Sequence, residues 1–393
     1  MSWAIWITGL PGSGKSALAR ETARQLSALD GRVTITVLEL DEIRRGLTPT
    51  PTYRDEERDL VYRVLAWIAA TLTEAGVPVI VDATAHRRAW RDRARARIGR
   101  FAEVQLVCPL ELCREREEKR TGSHAPRAIY ARAGRAGARV PGVDVAYEPA
   151  LSPELSLDTA TRPLAELVGE VVALARRLAA DSPSRTPATS PGWVIWITGR
   201  PGSGKTTLAR GVADALAAEG TEFKLLERPE LRRALLTDGV GRPAGEEVVH
   251  RALAVTAKLL AEAGVPVIVD ATTSRRAWRE MARTLIPCFV EVQLVCPTEL
   301  CAERERAARW KLGTAPPAGA RTGRTGGEAP ALAEPELCLD YEESLAPELT
   351  LHTHLQGHWS TVRQVLLLTR RLLHPETPNR RKPERRTPCE CES

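Results

Sequence analysis

No apolar run in this 393-residue chain approaches the roughly 20 residues that a bilayer-crossing helix needs, so a membrane-spanning role is not expected. The N-terminus also lacks a basic segment followed by an apolar core and a cleavage site; "AIWI" leads straight into a glycine-rich loop, and trimming it as a leader would remove a strand. Zinc-type cysteine spacing is missing, as is the cysteine density of a small disulfide scaffold. Four of the eight cysteines fall in two copies of one phrase, "CPLELC" from Cys108 to Cys113 and "CPTELC" from Cys296 to Cys301. Reduced, structural thiols in a soluble cytoplasmic protein are expected. Cys389 and Cys391 lie in "CECES" at the C-terminus without a histidine partner, and no chemistry is assigned to them. Charge of one sign is not gathered in a block: 56 Lys plus Arg face 50 Asp plus Glu, for a formal net charge of +6. That balance suits a small anionic substrate and calls for no nucleic acid.

Repetition is what the chain has in quantity. "WAIWITGLPGSGKSALAR" near the start returns as "WVIWITGRPGSGKTTLAR" past the midpoint, and "AGVPVIVDAT", "RRAWR" and "EVQLVCP" each occur twice. Asp82 and Asp270 are 188 residues apart, as are Cys108 and Cys296, so the central segments align without gaps. This is a tandem duplication, with a period too long for a solenoid unit. With 43% hydrophobic residues the chain can fill two cores of ordinary size.

Each copy reads as α/β: Val- and Ile-rich runs alternate with helical segments, predicting a mostly parallel sheet covered on both faces. The expected divisions are a first domain over 1–180, a Pro- and hydroxyl-rich linker over 181–192, a second domain over 193–373 and a disordered basic tail over 374–393.

Both repeats contain G-x-x-x-x-G-K-[ST] between an apolar strand and a helix, the context a phosphate loop requires. The first is Gly9, Leu10, Pro11, Gly12, Ser13, Gly14, Lys15 and Ser16; the second is Gly199, Arg200, Pro201, Gly202, Ser203, Gly204, Lys205 and Thr206. Backbone N–H groups of such loops close around phosphate oxygens, the lysine reaches the outer phosphates, and the hydroxyl can ligate Mg²⁺. ATP and Mg²⁺ are the expected cofactors. Asp82 and Asp270, each ending an apolar strand, read as carboxylates that hold the metal through water, or else as structural turn residues.

On "IWITGLPGSGKSALA", "LELDEIRRGL", "CPLELCRERE", "ARAG" and "YEPALSPELSLDT", the first copy from Trp3 to about Thr159 resembles the adenylylsulfate kinases. These P-loop enzymes use MgATP to phosphorylate the 3′-hydroxyl of adenosine 5′-phosphosulfate in sulfate assimilation. The resemblance implies that Asp41 orients the attacking hydroxyl or a metal-bound water, although an N-cap of a helix beginning at Glu42 is a compatible reading. It also implies that Arg44 and Arg58 grip the phosphosulfate, and that Lys119, Arg132 and Arg139 belong to a mobile lid. As this family commonly forms homodimers, an intramolecular pseudo-dimer or a homo-oligomer is implied.

The chain also departs from the family pattern. Glu39 and Leu40 replace the first aspartate and the glycine of D-G-D, Leu60 to Val64 replace E-N-I-R-R, and Thr84 to Arg87 replace S-P-[YF]-R. "VIVDAT" is closer to polynucleotide-kinase-like P-loop kinases. In the second copy Pro229 stands at the position of Asp41 and Glu246 at that of Arg58, and a Gly/Pro-rich stretch over 313–330 replaces the lid. The expectation is a catalytic first copy and a degenerate second one. Transfer to a different hydroxyl acceptor, and nucleotide binding without turnover, remain open alternatives.

Overall fold

The computed structural model describes residues 2–30, 34–120, 128–135, 137–180, 191–236, 242–311 and 341–373. Most of the expected linker, the 313–330 stretch and the basic tail, including Cys389 and Cys391, lie outside these residues.

Strand β1 (Ala4–Thr8) is the centre of a five-stranded parallel sheet with β2 (Thr36–Glu39), β3 (Val79–Asp82), β4 (Phe101–Val107) and β5 (Leu155–Asp158), in the order β2-β3-β1-β4-β5. All residues of β1 and β3 are buried, which is why these segments read as unbroken apolar runs rather than alternating ones. The second copy repeats the arrangement with β6 (Val194–Gly199), β7 (Lys224–Glu227), β8 (Val267–Asp270), β9 (Phe289–Val295) and β10 (Leu349–His352), in the order β7-β8-β6-β9-β10. The fold is therefore two tandem α/β units, each with a mostly parallel sheet covered on both faces, as expected. Of the strand predicted from "VTITVLEL", Thr36–Glu39 pair with β3, and Val33 lies outside the described residues.

Helices α1 (Lys15–Asp30) and α6 (Leu164–Ala179) cover one face of the first sheet, where Leu18, Val168 and Val171 meet Ile5, Ile7 and Val104. The other face carries α2 (Leu40–Leu47), α3 (Asp55–Glu74) and α4 (Arg88–Arg97), while α5 (Leu110–Glu118) follows β4. The second copy holds α7 (Lys205–Ala218), α8 (Arg228–Leu235), α9 (Arg242–Glu262), α10 (Arg276–Leu285), α11 (Thr298–Lys311) and α12 (His358–Leu373) in the corresponding places. No described helix is long and apolar enough to cross a membrane.

The two copies share one core. Residues of α3 and α9 belong to a single hydrophobic cluster running from Trp6 and Leu65 in the first copy to Leu253 and Trp196 in the second. Almost every α3 residue from Leu60 to Thr73 is buried, because one side packs on its own sheet and the other on α9, and a helix apolar on all sides is a buried one. Polar contacts cross the same seam. Arg63 Nη1 donates to the Leu235 carbonyl at 3.3 Å, and Arg251 Nη1 donates to the Gly46 carbonyl at 3.4 Å. At the edge Lys224 Nζ reaches Glu74 at 2.7 Å. Arg63 and Arg251 are themselves 188 residues apart, so the two donors obey the internal repeat, while their acceptors are displaced by one residue, Gly46 preceding Leu47, the counterpart of Leu235.

Candidate active site

Parallel α/β sheets bind ligands outside the carboxyl ends of their strands, and the first copy opens a cavity of about 580 Å³ there. Its floor is the loop from Gly9 to Ser16, which joins β1 to α1. Gly12 has φ +80°, and a Cβ at this position would lie 2.1 Å from the Cys113 carbonyl oxygen. Only glycine lets the loop close against the start of α5. From the other side Tyr130 Oη donates to the Pro11 carbonyl at 2.8 Å. Lys15 is buried and donates to the Leu10 carbonyl at 2.9 Å. Burial pulls its ammonium below the usual lysine range, against the opposing pull of Asp82 and Asp41.

Strand β3 brings Asp82 to the loop, where Ser16 Oγ donates to Asp82 Oδ2 at 2.5 Å. Burial pushes the Asp82 carboxyl above its ordinary value. A hydroxyl and a carboxylate are the hard oxygen donors that Mg²⁺ takes from P-loops, leaving its other positions to phosphates and water. This pair fits the ion. Among the described residues no cluster of three or more His, Cys, Asp or Glu could hold a metal.

Register explains how the opposite wall is aimed. Glu39 pairs with Asp82 at the end of β2, and α2 begins at the next residue, so Asp41 enters the cavity from the first helical turn. The N-cap reading of Asp41 is corrected here. The helix starts at Leu40 rather than Glu42, and Glu39 occupies the N-cap. Burial raises the proton affinity of Asp41, with Arg44 and Lys15 opposing. One turn on, Arg44 is buried, lies over the Tyr53 ring at 5.2 Å and has Glu57 at 3.5 Å.

Arg58, Arg132 and Arg139 line the same cavity. Arg58 Nη2 donates to the Arg139 carbonyl at 3.0 Å, and burial lowers the Arg58 guanidinium from its very high ordinary value. Arg139 pairs with Asp55 at 2.6 Å. Lys119 is the exception among the expected lid residues. It is exposed, pairs with Glu115 at 2.5 Å and does not line the cavity.

An aromatic wall is the part that motif reading left unassigned. Tyr62, on α3, accepts the Ala85 N–H at 2.8 Å, and burial pushes its hydroxyl up to about 12. Trp90 stacks on Tyr62 at 4.1 Å and meets His86 edge-on at 4.9 Å. His86 lines the cavity and is held down to about 4, chiefly by burial, so it is neutral near pH 7. The one sequence signal for this wall was the departure at Thr84 to Arg87, which placed His86 where the related pattern has an aromatic ring.

The second copy reproduces the floor. Gly199, Gly202 and Gly204 have φ +151°, +76° and +95°, against +151°, +80° and +98° at Gly9, Gly12 and Gly14. Lys205 Nζ donates to the Arg200 carbonyl at 2.8 Å, and Thr206 Oγ1 donates to Asp270 Oδ2 at 2.6 Å. Its opposite wall differs. Pro229 occupies the first turn of α8, where Asp41 stands in α2. Glu246 accepts from Arg228 Nη2 and from Arg232 Nε, both at 2.5 Å. His250 takes the place of Tyr62, stacked on Trp278 at 4.2 Å and held down to about 3 by burial.

Comparison with known proteins gives a consistent assignment. The family model described as adenylylsulphate kinase matches residues 1–158 and again 191–336. A probable adenylyl-sulfate kinase of Archaeoglobus fulgidus is 36% identical over 160 residues, covering 40% of this chain and 97% of the relative. An adenylyl-sulfate kinase of Synechococcus sp. (strain JA-3-3Ab) is 35% identical over 170 residues, covering 43% of this chain and 90% of the relative. Among solved structures, the Mycobacterium tuberculosis APS kinase CysC in complex with AMPPNP and APS is 31% identical. It spans 44% of this chain and 96% of that one, with a TM-score of 0.38.

Proposed function

The chain belongs to the adenylylsulphate kinase family, a nucleotide-using phosphotransferase with a hydroxyl acceptor, and from that premise we propose that its first copy transfers the ATP γ-phosphoryl group to the 3′-hydroxyl of adenosine 5′-phosphosulfate. The observation that carries this reading is the convergence on one cavity of a phosphate loop, a half-buried carboxylate and three arginines: Lys15, Asp41, Arg44, Arg58 and Arg139 all line it.

The loop amides and Lys15 hold the triphosphate and place its γ-phosphorus. Asp41, whose proton affinity burial raises, accepts the hydrogen of the attacking hydroxyl and takes its proton as the new P–O bond forms. Arg44, Arg58 and Arg139 offer permanently charged planar donors to the anionic end of the acceptor. The neutral His86–Trp90–Tyr62 wall supplies an apolar surface beside them. Ser16 and Asp82 would hold Mg²⁺, which when bound neutralises charge on the transferring phosphates. Loop, carboxylate and arginines on one rigid scaffold supply positioning and electrostatics, which is most of what phosphoryl transfer asks of a protein.

The second copy is proposed to be degenerate. Pro229 offers neither a base nor a ligand, and Glu246 both brings negative charge to the place of Arg58 and occupies Arg228 and Arg232. The intramolecular pair then stands where two subunits would. Incubating the full chain with MgATP and adenosine 5′-phosphosulfate, and scoring 3′-phosphorylated product, tests the reading. ATP consumption with other hydroxyl acceptors but not with this one would transfer the assignment to another kinase class.

A further inference from the structure

The second copy combines an intact phosphate loop with a lost acceptor wall, and it packs directly on the wall of the working site. Helix α8 follows β7 without a break, and Glu227 pairs with Asp270 beside the loop. Its first residue, Arg228, corresponds to Leu40, which lines the cavity over the phosphate loop of the first copy. Arg228 therefore belongs to the rim where a triphosphate would lie, and its guanidinium is held by the Glu246 carboxylate. Phosphate oxygens on the loop compete with that carboxylate for the same cation.

The far end of α8 touches the first copy. The Leu235 carbonyl accepts from Arg63 Nη1 at 3.3 Å, and Arg63 Nε pairs with Asp59 at 2.6 Å. Asp59 accepts from Trp90 Nε1 at 3.0 Å. Trp90 in turn stacks on Tyr62 and abuts His86, both of which line the first cavity. The space between is filled by the shared core of α3, α8 and α9, a close-packed medium that passes on displacement instead of absorbing it.

We propose that the second copy is an effector site for a nucleoside triphosphate, which it binds without transferring a phosphoryl group, and that its occupancy is relayed to the acceptor wall of the first copy through α8 and Arg63. The two sites are the two phosphate loops. The differential contact is the Arg228–Glu246 pair, which phosphate weakens, so a ligand that favours one position of α8 shifts the population of the wall packed against its end. This inference rests on the reading of the first copy as the transferring one only for what the signal controls.

The test uses the full chain and the β,γ-imido analogue of ATP with Mg²⁺. Calorimetry is expected to give two equivalents for the natural sequence, one for Lys15→Ala, one for Lys205→Ala and none for the double variant. In the Lys15→Ala protein, added analogue is expected to slow amide exchange in 40–47 and 55–68 by threefold or more. That response should vanish in the double variant and fall by most of its size when Arg63→Met is added to Lys15→Ala.

A folded Lys15→Ala chain that binds nothing overturns the site. One equivalent bound with unchanged exchange in the first copy overturns the coupling, and a response that survives Arg63→Met overturns its route. Should Lys15→Ala fail to fold, Lys205→Ala decides the site alone: loss of one of two equivalents supports it, and unchanged stoichiometry rejects it. Exchange in the natural sequence against Lys205→Ala then decides the coupling. A chain that phosphorylates no adenosine 5′-phosphosulfate would defeat the proposed function while leaving these binding outcomes intact.

Discussion

Glu246 accepts from Arg232 Nε at 2.5 Å, whereas Arg44, the counterpart of Arg232, meets the Glu57 carboxylate at 3.5 Å. The same helix position is thus tightly neutralised in one copy and loosely accompanied in the other. Glu57 is also engaged elsewhere, its Oε2 accepting from the Thr52 amide and hydroxyl at 2.6 Å each while its Oε1 faces Arg44. The copies differ here, at Asp41 against Pro229 and at Tyr62 against His250, while strand order and loop backbone are the same in both.

Replacing Lys15 by Ala should reduce phosphoryl transfer by at least about a hundredfold, equivalent to ~3 kcal/mol of barrier. The fold should survive, because among the described residues the ammonium has one hydrogen-bond acceptor, the Leu10 carbonyl. Steady-state turnover and circular dichroism on the same sample check this, and near-normal activity would contradict it.

Asp41→Asn should lower kcat by two orders of magnitude or so while the KM for ATP changes by less than about threefold. The amide keeps the size of the carboxylate but cannot take the proton. Parallel loss of rate and ATP affinity would identify Asp41 with ground-state binding alone.

Much of this arrangement was legible beforehand. Both phosphate loops, the duplication and the parallel sheets follow from motifs and repeats in which strand, loop and helix signals agree, while Asp41, Arg44, Arg58 and Arg139 were singled out by the family resemblance alone and line one cavity. The aromatic wall was not legible, since Tyr62, His86 and Trp90 come from α3, a loop and α4, and only tertiary packing brings them together. The seam between copies did leave a trace. The run from Leu60 to Leu72 lacks a polar stripe, the pattern of a helix buried on two sides, but periodicity alone does not name its second neighbour.

Gly12→Ala should abolish nucleotide binding in the first copy more severely than Gly14→Ala. Both residues have positive φ, but a Cβ on Gly12 would meet the Cys113 carbonyl at 2.1 Å, while one on Gly14 would meet nothing within 4 Å. The first change forces backbone apart; the second costs about 1 kcal/mol of conformational strain. Titration of a fluorescent ATP analogue in the Lys205→Ala background ranks the two, and equal affinities would contradict the account.

Acid should destabilise the chain before its carboxylates titrate. His86 and His250 are held near 4 and 3 against an ordinary value of 6.5, so the unfolded chain binds protons that the folded chain refuses. Their contribution is complete above pH 6.5 and is lost as pH falls towards their folded values, about 3 kcal/mol for His86 by the time pH 4 is reached. Urea midpoints from pH 7 to 4.5 should decline in the natural sequence and decline less steeply in His86→Gln and His250→Gln. Identical slopes would show that these rings do not carry the effect.

The proposed degeneracy of the second copy gives the most demanding prediction. In a Lys15→Ala, Asp41→Asn background the first copy loses both its phosphate grip and its base, and product formed above the residual rate of that background belongs to the second copy. Pro229→Asp restores a carboxylate at the first turn of α8 and Glu246→Arg restores the cation found at Arg58, removing at the same time the clamp on Arg228 and Arg232. Pro229→Asp alone should yield no transfer, since Glu246 would still repel an anionic acceptor and still hold the two arginines. The double change should release the arginines without rebuilding the aromatic wall, because His250 remains where Tyr62 stands in the first copy. Any recovered rate should therefore stay at least about a hundredfold below that of the first copy, as groups that must act together contribute little singly. Single-turnover assays with radiolabelled ATP and adenosine 5′-phosphosulfate have the range to see this, and efficient transfer by Pro229→Asp alone would show that the base was all the second copy lacked.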